Sequence, residues 1–475
     1  MKVHNLRVGF ATNSSSSHSI VMIPRGQHEH TNEYHRFNYG WEEFTLADPD
    51  SKSAYFVTQL MHNLEDGHMQ KEEIVHAVNS LLSTEYTVGD FSDSGVDHQS
   101  LWGNLGDMFR KHPELVQHMH EFIKRDDVVI LGGNDNSDGQ TPPDNSFTDA
   151  RTEAVNWGSD VQVRQDGDNW CLFNAHSGAK IRVSFLPHTP EYVKSTAPEL
   201  VDLKISDYCS YGCAFCYQGS TKQGKHGDLQ NIKSILDALA EMQVFEVALG
   251  GGEPTHYPHL AEVLQYAHDL GIVPNFTTFG VDWLQNAELV RTVQQCVGAI
   301  GVSVHDADQL AKIAKIEQVL NGQRGWGDRR VQVTAQHVVG SVDIGQTAQL
   351  LDACWDSGVD LLLLGYKPVG FGAAHAPHDL TGLDTLLRLR RDRKPHWRAK
   401  ISMLGVDTAF VQQFGSLLTE LEIPQVLVTS EEGKFSMYVD AVTLTQGPSS
   451  YMPDQMEPLD MTNVLGDIKR AYVKW

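Results

Sequence analysis

The sequence predicts an α/β protein built around a partial (β/α)6 barrel of the TIM type. After Pro198, six short apolar segments alternate with segments that have the apolar period of amphipathic helices. Strands that alternate with helices in this way pair in parallel, with the helices packed outside the sheet. An open or incomplete barrel is the natural form of six such units, and its functional residues are expected at the carboxyl ends of the strands.

The strands and helices of this region follow one another in a regular order. Predicted strands are Val201–Ile205, Phe245–Leu249, Val273–Thr278, Ala299–Val304, Val331–Val338 and Asp360–Leu364. Predicted helices are Asn231–Met242, Pro258–Leu270, Gln285–Cys296, Ala307–Leu320, Gln346–Ser357 and Leu383–Arg391.

Composition changes along the chain predict four segments. Residues 1–150 form a mixed, largely helical α+β region of unknown role, with helices near Ala54–Leu82 and Leu101–Ile123. Residues 151–198 form a small β meander and a linker. Residues 199–394 form the barrel, and residues 395–475 form a small C-terminal extension that ends in a helix near Val464–Tyr472.

The N-terminal region contains two polar loop motifs. The stretch from Gly132 to Gly139 has the oxygen-bearing residues of a calcium loop, but Asn145 stands where a bidentate Glu is required, so a plain loop is favoured. The run Arg7–Ser17 is typical of polar disorder, and a contact with an anion or a substrate is the alternative.

Net charge and hydropathy exclude several classes of function. The 475 residues carry a formal net charge of −24, which disfavours a broad nucleic-acid interface because such binding depends on Lys and Arg at phosphates. No apolar segment has the length of a membrane span, and a cytoplasmic location is expected. The basic run from Arg388 to Arg398 is most simply a solvated helix end, and it could otherwise receive an acidic substrate or a reductase.

Six cysteines divide into a tight cluster and three single residues. Cys209, Cys213 and Cys216 lie within eight residues of one another, whereas the single residues lie far apart. A disulfide framework belongs to smaller secreted chains, so the cluster indicates a metal site. The three single residues are predicted to be buried structural thiols, and they are Cys171, Cys296 and Cys354.

The cysteine cluster follows the first barrel strand directly. Its C-x3-C-x2-C spacing can bind three of the four irons of a cubane as thiolates, which leaves one iron open. A structural zinc site is an alternative, although it needs a fourth ligand such as His226. Three unrelated core cysteines are the other alternative.

A glycine-rich motif, Gly250-Gly251-Gly252-Glu253-Pro254, follows the second predicted strand. Glycines at a strand end let a ligand approach the backbone closely, and a buried carboxylate can accept hydrogen bonds from an ammonium group. The motif is only moderately specific by itself. Its position one βα unit after the cysteines makes it much more specific.

These two motifs resemble those of the radical S-adenosylmethionine (SAM) superfamily, over roughly residues 200 to 375. The cysteines match its CxxxCxΦC signature with Phe215 as the aromatic residue, and Gly251-Gly252-Glu253 matches its GGE motif. The resemblance implies that Cys209, Cys213 and Cys216 bind one [4Fe–4S] cluster. It also implies that Glu253 and the glycines hold the amine of SAM, which is cleaved reductively to methionine and a 5′-deoxyadenosyl radical.

The resemblance implies further contacts with SAM at less specific positions. Ordinary strand-end residues are the alternative for several of them. Phe279 departs from the family pattern, which has Asn after the third strand, and this puts a polar contact there in doubt. The implied cofactor-binding positions, besides the glycines and Glu253, are Phe215, Tyr217, Pro254, Thr278, Ser303, Gln336 and Gly365.

The C-terminal segment Glu432–Val442 resembles the hairpin that opens a SPASM or twitch extension, but no cysteine follows Cys354. A single cluster is therefore expected. The resemblance implies radical chemistry on a peptide or protein, with flavodoxin or ferredoxin as the electron donor. Modification of a small molecule or nucleotide, or a regulatory protein that binds the cluster and SAM without turnover, are the alternatives.

Overall fold

The structure is a computed structural model. It describes residues 2–7, 18–19, 37–39, 44–46, 48–64, 70–92, 94–96, 105–124, 130–132, 161–167, 169–184, 194–322, 330–392, 403–421, 423 and 428–475. The chain divides into two compact units. The first contains residues 22–163 and 183–189, and the second contains residues 3–21, 164–182 and 190–475. The predicted segment boundaries at 198 and 394 both lie inside the second unit.

An eleven-stranded sheet forms the framework of the second unit. Its order is β19-β18-β17-β10-β11-β12-β13-β14-β15-β16-β2, and the eight strands from β17 to β16 in that order are parallel. Its strands are β2 (His18–Ser19), β10 (Leu200–Ser206), β11 (Glu246–Gly251), β12 (Val273–Thr278), β13 (Ala299–Ser303), β14 (Gln332–Val338), β15 (Leu361–Leu364), β16 (Leu404–Val406), β17 (Ser436–Asp440), β18 (Thr445–Gly447) and β19 (Glu457–Pro458).

Helices follow the strands of this sheet, and all except Thr408–Glu420, which was not predicted, have bounds within a few residues of those predicted. They are α5 (Leu229–Glu241), α6 (Leu260–Asp269), α7 (Ala287–Cys296), α8 (Leu310–Asn321), α9 (Ile344–Ser357), α10 (Leu383–Asp392), α11 (Thr408–Glu420) and α12 (Val464–Lys474). Side-chain caps fix the first turns of several helices. Asp228 accepts from two N–H groups of α5, and Asn286 does the same for α7. The partial (β/α)6 barrel predicted from the sequence is confirmed by this topology.

Alternate side chains of β10 face the apolar core on one side and the interior of the barrel on the other. Val201, Leu203 and Ile205 belong to the large apolar core that the helices cover. Successive side chains of a strand point to opposite faces, so Asp202 and Lys204 point into the barrel. Two charged residues therefore stand on the inner face of the first barrel strand.

The predicted β meander is confirmed as β7 (Val161–Asp166), β8 (Asn169–Asn174) and β9 (Lys180–Ser184), in a sheet with β1 (Lys2–Arg7). The residues of this sheet that belong to the second unit cover the amino ends of the barrel strands. Phe173 of β8 stacks on Phe245 just before β11, with 5.3 Å between ring centroids. Arg182 of β9 donates two hydrogen bonds, of 2.7 and 2.8 Å, to the carboxylate of Glu199 just before β10.

The residues after 394 contribute strands to both edges of the parallel sheet. β16 pairs with β15, and β17 pairs with β10 and forms a hairpin with β18. The segment Glu432–Val442 contains β17, the first strand of this hairpin.

The first unit contains paired helices. They are α1 (Pro49–Leu64), α2 (Lys71–Leu82), α3 (Leu105–Lys111) and α4 (Pro113–Ile123), and its strands are β3 (Asn38–Tyr39), β4 (Phe44–Leu46), β5 (Gly95–Val96) and β6 (Ile130–Gly132). Each predicted long helix is two helices. Pro113 explains the second break, because it lacks an N–H group and favours the first position of a helix.

The polar loop after Gly132, for which a plain loop was favoured over a calcium site, and the serine run lie outside the described residues. The same is true of the end of the basic run, residues 393–400. Within the described part of the chain, the helices are too short or too polar to span a bilayer.

Candidate active site

The cysteine loop begins where β10 ends and is held by backbone hydrogen bonds. The Cys209 N–H group donates to the Thr221 carbonyl at 2.9 Å, and the Cys216 N–H group donates to the Cys213 carbonyl at 3.1 Å. Gly212 has a φ of 67°, a conformation that favours glycine, and it reverses the chain between the first two cysteines. The loop is therefore a compact turn at the carboxyl end of the first barrel strand.

The three thiols lie close enough to influence one another. Burial, together with Cys216 and Cys209, raises the pKa of Cys213 to about 11, although Lys312 acts to lower it. Burial also raises the pKa of Cys209, and the N–H groups of Tyr211 and Gly212 partly offset this effect. The N–H groups and the ammonium group are positioned to stabilise thiolates once iron replaces the protons.

The zinc alternative would need His226 as a fourth ligand beside the three cysteines. In the described part of the chain, no three His, Cys, Asp or Glu side chains converge on a point that could hold a single ion. A zinc ion needs its ligands together at about 2.3 Å, whereas a cubane binds each thiolate at a separate iron. His226, the proposed fourth zinc ligand, instead shares a 2.9 Å hydrogen bond between its Nδ1 and the Ser206 hydroxyl.

The three glycines at and just after the end of β11 differ in the space that surrounds them. A Cβ atom at Gly251 would lie 2.3 Å from the Ser206 carbonyl oxygen, and one at Gly252 would lie 2.2 Å from that of Tyr208. These two glycines let β11 pass close under the cysteine loop. A Cβ atom at Gly250 would meet nothing within 4 Å, so this glycine leaves open space beside the loop.

The Glu253 side chain is buried, with 3% of its surface exposed. Its Oε1 accepts hydrogen bonds from the Thr255 hydroxyl and from the Thr278 hydroxyl, both at 2.7 Å. Its Oε2 accepts from the Phe279 N–H group at 2.9 Å. A carboxylate oxygen can accept more than one hydrogen bond, so Oε2 keeps capacity for a ligand such as an ammonium group.

Phe279, which replaces the expected polar residue, is the centre of an aromatic and cationic cluster. Its ring stacks on His305 at 5.6 Å and contacts Tyr211 at 4.7 Å, measured between centroids. Lys312 Nζ lies 3.6 Å from the centroid of the Phe279 ring, a cation–π contact. Cys213 and Glu253 both act on the pKa of Lys312, so its ammonium group stands near the cysteines and the glycine motif.

Several other predicted residues lie around the same end of the barrel. Phe215 packs edge-on against His305 at 5.1 Å, and Pro254 is buried at the start of a short turn. Ser303 ends β13 beside Gln336 in the sheet register. Gln336 is buried and accepts a 3.3 Å hydrogen bond from Thr277, and its amide fills the space above Gly301.

Two of the predicted positions have a structural explanation that needs no cofactor. A Cβ atom at Gly365 would lie 2.4 Å from the backbone of Ala409, so this glycine allows α11 to approach β15. Thr278 orients the Glu253 carboxylate. The three single cysteines are buried, as predicted, and burial raises the pKa values of Cys171 and Cys354.

A group of buried charges inside the barrel was missed by the sequence reasoning. Asp202 of β10, Lys367 after β15 and Asp407 after β16 are all buried. The signal was present in β10, whose sequence Val-Asp-Leu-Lys-Ile alternates apolar and charged residues. On a strand covered by helices on one side, the charged positions must face the barrel interior.

The residues of the loop fit the cofactors that the motifs imply. Three mutually close thiols supply the ligands for a cluster, and Glu253 and Lys312 supply a carboxylate and an ammonium group beside them. The open space at Gly250 is free for a ligand that lies against the strand end. The fit therefore depends on the thiol, carboxylate and ammonium groups and on the open space at Gly250.

Comparison with known proteins points to the same family as the motifs of the site. The family model of the radical SAM superfamily matches residues 203–340. Mycofactocin maturase MftC of Mycobacterium ulcerans is 30% identical over 192 residues, which cover 37% of this chain and 50% of that protein. The PqqA peptide cyclase of Bradyrhizobium diazoefficiens is 34% identical over 86 residues, which cover 18% of this chain and 23% of that protein.

A third relative is named as a synthase of a heme compound and not as an enzyme that acts on a peptide. The pre-heme d1 synthase of Dinoroseobacter shibae is 24% identical over 188 residues, which cover 38% of this chain and 46% of that protein. The chain thus matches half or less of the length of each of these relatives. The family model matches within the barrel, where the cysteine loop and the glycine motif lie. Residues 203–340 thus match a radical SAM domain, and the cysteine loop and the glycine motif lie within that match.

Proposed function

We propose that this protein is a radical SAM enzyme that modifies a peptide or protein. The observation that carries the proposal is the placement of the cysteine loop beside Glu253, at the carboxyl ends of neighbouring barrel strands. Gly252 N–H donates to the Ser206 carbonyl at 2.6 Å and Glu253 N–H donates to the Tyr208 carbonyl at 2.9 Å, which joins the two motifs directly. A ligand bound between them would contact both.

A radical SAM domain implies SAM and an iron–sulfur cluster as cofactors. We propose a single [4Fe–4S] cluster held by Cys209, Cys213 and Cys216, because the other three cysteines are buried singly in other parts of the second unit. When bound, the reduced cluster supplies the electron that cleaves SAM to methionine and a 5′-deoxyadenosyl radical.

The protein's own residues would bind and orient SAM. We propose that Glu253 Oε2 accepts hydrogen bonds from the SAM amine and that Lys312 attracts its carboxylate. Gly250 leaves room for the methionine part, and Ser303 and Gln336 would contact the rest of SAM from β13 and β14. Phe215 and Tyr217 border the same space.

The interior of the barrel would protect the radical from solvent. The meander closes the amino ends of the strands with the Phe173–Phe245 stack and with Arg182 and Glu199, all buried. Exclusion of water prevents side reactions of a reactive intermediate. The carboxyl ends of the strands remain the route by which a substrate would enter.

The choice of a peptide is supported by the name of one relative, the PqqA peptide cyclase. A small-molecule substrate is the second candidate, and the pre-heme d1 synthase is the observation that favours it. We further propose flavodoxin or ferredoxin as the electron donor. A cytoplasmic location is supported by six free thiols, since disulfides are rare in that compartment.

Deuterium transfer tests both the activity and the substrate class. The reconstituted protein is given dithionite, SAM and an extract of cells grown in deuterated medium, separated into peptide and small-molecule fractions. We expect 5′-deoxyadenosine to gain deuterium from the peptide fraction and to lose this gain after protease treatment. Deuterium gained from the small-molecule fraction alone would favour the second candidate. Binding of the cluster and SAM without any cleavage would favour a regulatory protein.

A further inference from the structure

The buried charges inside the barrel form one cluster, which we call the inner polar cluster. It consists of Asp202, Lys367, Asp407, Glu432 and Tyr451. Its members come from β10, from the segments after β15 and β16, and from the segments on either side of the β17–β18 hairpin. All five therefore converge from distant parts of the second unit on the inner face of the barrel.

Lys367 and Asp407 form an ion pair inside the barrel. Lys367 Nζ lies 3.9 Å from Asp407 Oδ2. Asp407 Oδ1 accepts hydrogen bonds from the Gly365 and Phe410 N–H groups, at 2.8 and 2.7 Å. The charge of Lys367 is thus opposed by a carboxylate that the backbone holds in place.

Asp202 and Glu432 each have one carboxyl oxygen that is buried without a hydrogen-bond partner. Asp202 is 4% exposed, yet its Oδ1 has no hydrogen-bond partner. Glu432 Oε1 accepts a 2.9 Å hydrogen bond from the Tyr451 hydroxyl, but its Oε2 is buried without a partner. Burial raises the pKa of Asp202 well above its ordinary value, Lys367 lowers it and Glu432 raises it, so both side chains act on this carboxyl group.

An unsatisfied buried carboxyl group is costly for a fold. Leaving a buried polar group without its hydrogen bond costs about 1–3 kcal/mol, and more when the group is charged. Natural proteins keep such groups chiefly at functional sites. In the sheet register Asp202 pairs with Ala248 on β11 and with Tyr438 on β17.

The inner polar cluster lies next to the cysteine loop. Lys367 Nζ is 4.6 Å from the ring centroid of Tyr217, the residue that follows Cys216. The segment that carries Lys367 also binds the loop, because the Phe371 N–H group donates to the Cys216 carbonyl at 2.9 Å. Asp202 and Lys367 are buried, whereas Tyr217, Glu432 and Tyr451 are partly exposed, so the cluster has a closed floor and a rim that solvent reaches.

We propose that Asp202 and Glu432 bind a cationic group of the substrate, a primary ammonium or a guanidinium group. The proposal rests on the proposed function, since a peptide would carry this group as a lysine, an arginine or its amino terminus. Carboxylates that lack partners supply the acceptors that such a group requires.

The protonation of the cluster adds a pH dependence with a defined sign. Burial raises the pKa of Glu432 to about 7, and Lys367 and the Tyr451 hydroxyl partly offset this effect. Burial raises the pKa of Asp202 as well, and Lys367 lowers it. A cation binds the ionised carboxylates, so its affinity should rise as the pH increases through about 7, where Glu432 ionises.

Binding of a simple amine tests the proposal without turnover. The cluster-loaded protein is titrated with n-butylammonium chloride by calorimetry, with butan-1-ol as the neutral probe of the same length. The variants are Asp202→Asn and Glu432→Gln. Glu262→Gln, on the exposed side of α6, is the control. We expect saturable binding of the cation by the unchanged protein and by the control. We expect a loss of about tenfold or more in affinity in each variant, in line with a charge-assisted bond of at least about 1.4 kcal/mol.

Equal affinity for the cation in the unchanged protein and in both variants would overturn the proposal, and so would equal binding of butan-1-ol. If Asp202→Asn does not fold by circular dichroism, Glu432→Gln decides the question. Release of 5′-deoxyadenosine by the same preparation is measured separately. Cleavage of SAM without amine binding would overturn this inference alone, whereas amine binding without cleavage would overturn the proposed function alone.

Discussion

Thr278 on β12 holds the carboxylate of Glu253, which follows the neighbouring strand β11. The Thr278 hydroxyl donates to Glu253 Oε1 at 2.7 Å, and the next N–H group, that of Phe279, donates to Oε2 at 2.9 Å. The carboxylate is therefore oriented by β12 before any cofactor binds. Orientation by fixed neighbours is what a binding group needs if it is to select one geometry.

The first prediction concerns this orientation. Thr278→Val keeps the shape of the side chain and removes the hydroxyl, so Oε1 of a buried carboxylate loses one donor. We expect a loss of about 1–3 kcal/mol in the free energy of unfolding and SAM binding about tenfold weaker. Urea unfolding and calorimetric titration with SAM measure the two effects. Thr278→Ser, which keeps the hydroxyl, should restore SAM binding. Equal SAM affinity in the Val and Ser variants would contradict the orienting role.

The second prediction separates two adjacent glycines. Gly252→Ala places a Cβ atom 2.2 Å from the Tyr208 carbonyl oxygen, so it should lower the melting temperature and disturb the cysteine loop. Gly250→Ala meets nothing within 4 Å and should leave the melting temperature unchanged. It should still weaken SAM binding several-fold, because the methyl group enters the space that we assign to SAM.

Thermal unfolding and SAM titration of both glycine variants check this difference. If Gly250→Ala binds SAM as tightly as the unchanged protein, the open space at Gly250 does not belong to the SAM site. If Gly252→Ala is as stable as the unchanged protein, the close approach of β11 to the cysteine loop is wrong.

The third prediction concerns the cluster ligands. Cys213→Ala should abolish incorporation of iron and sulfide and leave the far-ultraviolet circular dichroism unchanged, because the apolar core of the barrel does not include the loop. Cys354→Ala is the matched control, since Cys354 is buried on α9 and should keep a full complement of iron. Loss of the folded state in Cys213→Ala would show that the cluster is structural. Retention of iron would contradict the assignment of Cys213 as a ligand.

The fourth prediction concerns the closed end of the barrel. Glu199 accepts hydrogen bonds from Arg182 at 2.7 and 2.8 Å, and Lys180 lies 2.5 Å away. Glu199→Gln leaves two buried cations without their carboxylate and should cost about 3–5 kcal/mol in the free energy of unfolding. Urea unfolding at neutral pH measures the loss.

The pH dependence of this loss has a definite sign. Burial opposes ionisation of Glu199, but Arg182 and Lys180 hold its pKa well below the ordinary value. The stabilisation is therefore present above the unfolded pKa of about 4.3 and is lost as the pH falls towards the folded pKa. The difference in stability between the unchanged protein and Glu199→Gln should shrink as the pH falls below about 4. A difference that stays constant would show that the ion pair does not stabilise the fold.

The sequence predicted the barrel strands and helices because periodicity is strongest in long, buried elements. Val273–Thr278 was predicted with its observed bounds, and the other barrel strands differed by one or two residues. The two motifs predicted the cysteine loop and Glu253, since each is contiguous in the chain. Contiguous motifs need no knowledge of tertiary packing.

Residues that meet only through the fold could not be predicted in the same way. Lys312 reaches the cysteines from α8, and Phe279 from β12, so their proximity depends on the register of neighbouring strands. Glu432 and Tyr451 meet Lys367 because β17 pairs with β10 at the far edge of the sheet. Gly365 was predicted to contact SAM, but its close approach to α11 depends on packing that periodicity does not reveal.

The central claim is that this loop holds a single cluster with an open iron that binds SAM. Electron paramagnetic resonance of the dithionite-reduced protein, with and without SAM and with iron and sulfide analysis, tests it most directly. We predict about four irons per chain and an S = 1/2 signal that changes when SAM is added. Zinc in place of iron, or a cluster signal that is indifferent to SAM, would contradict the claim.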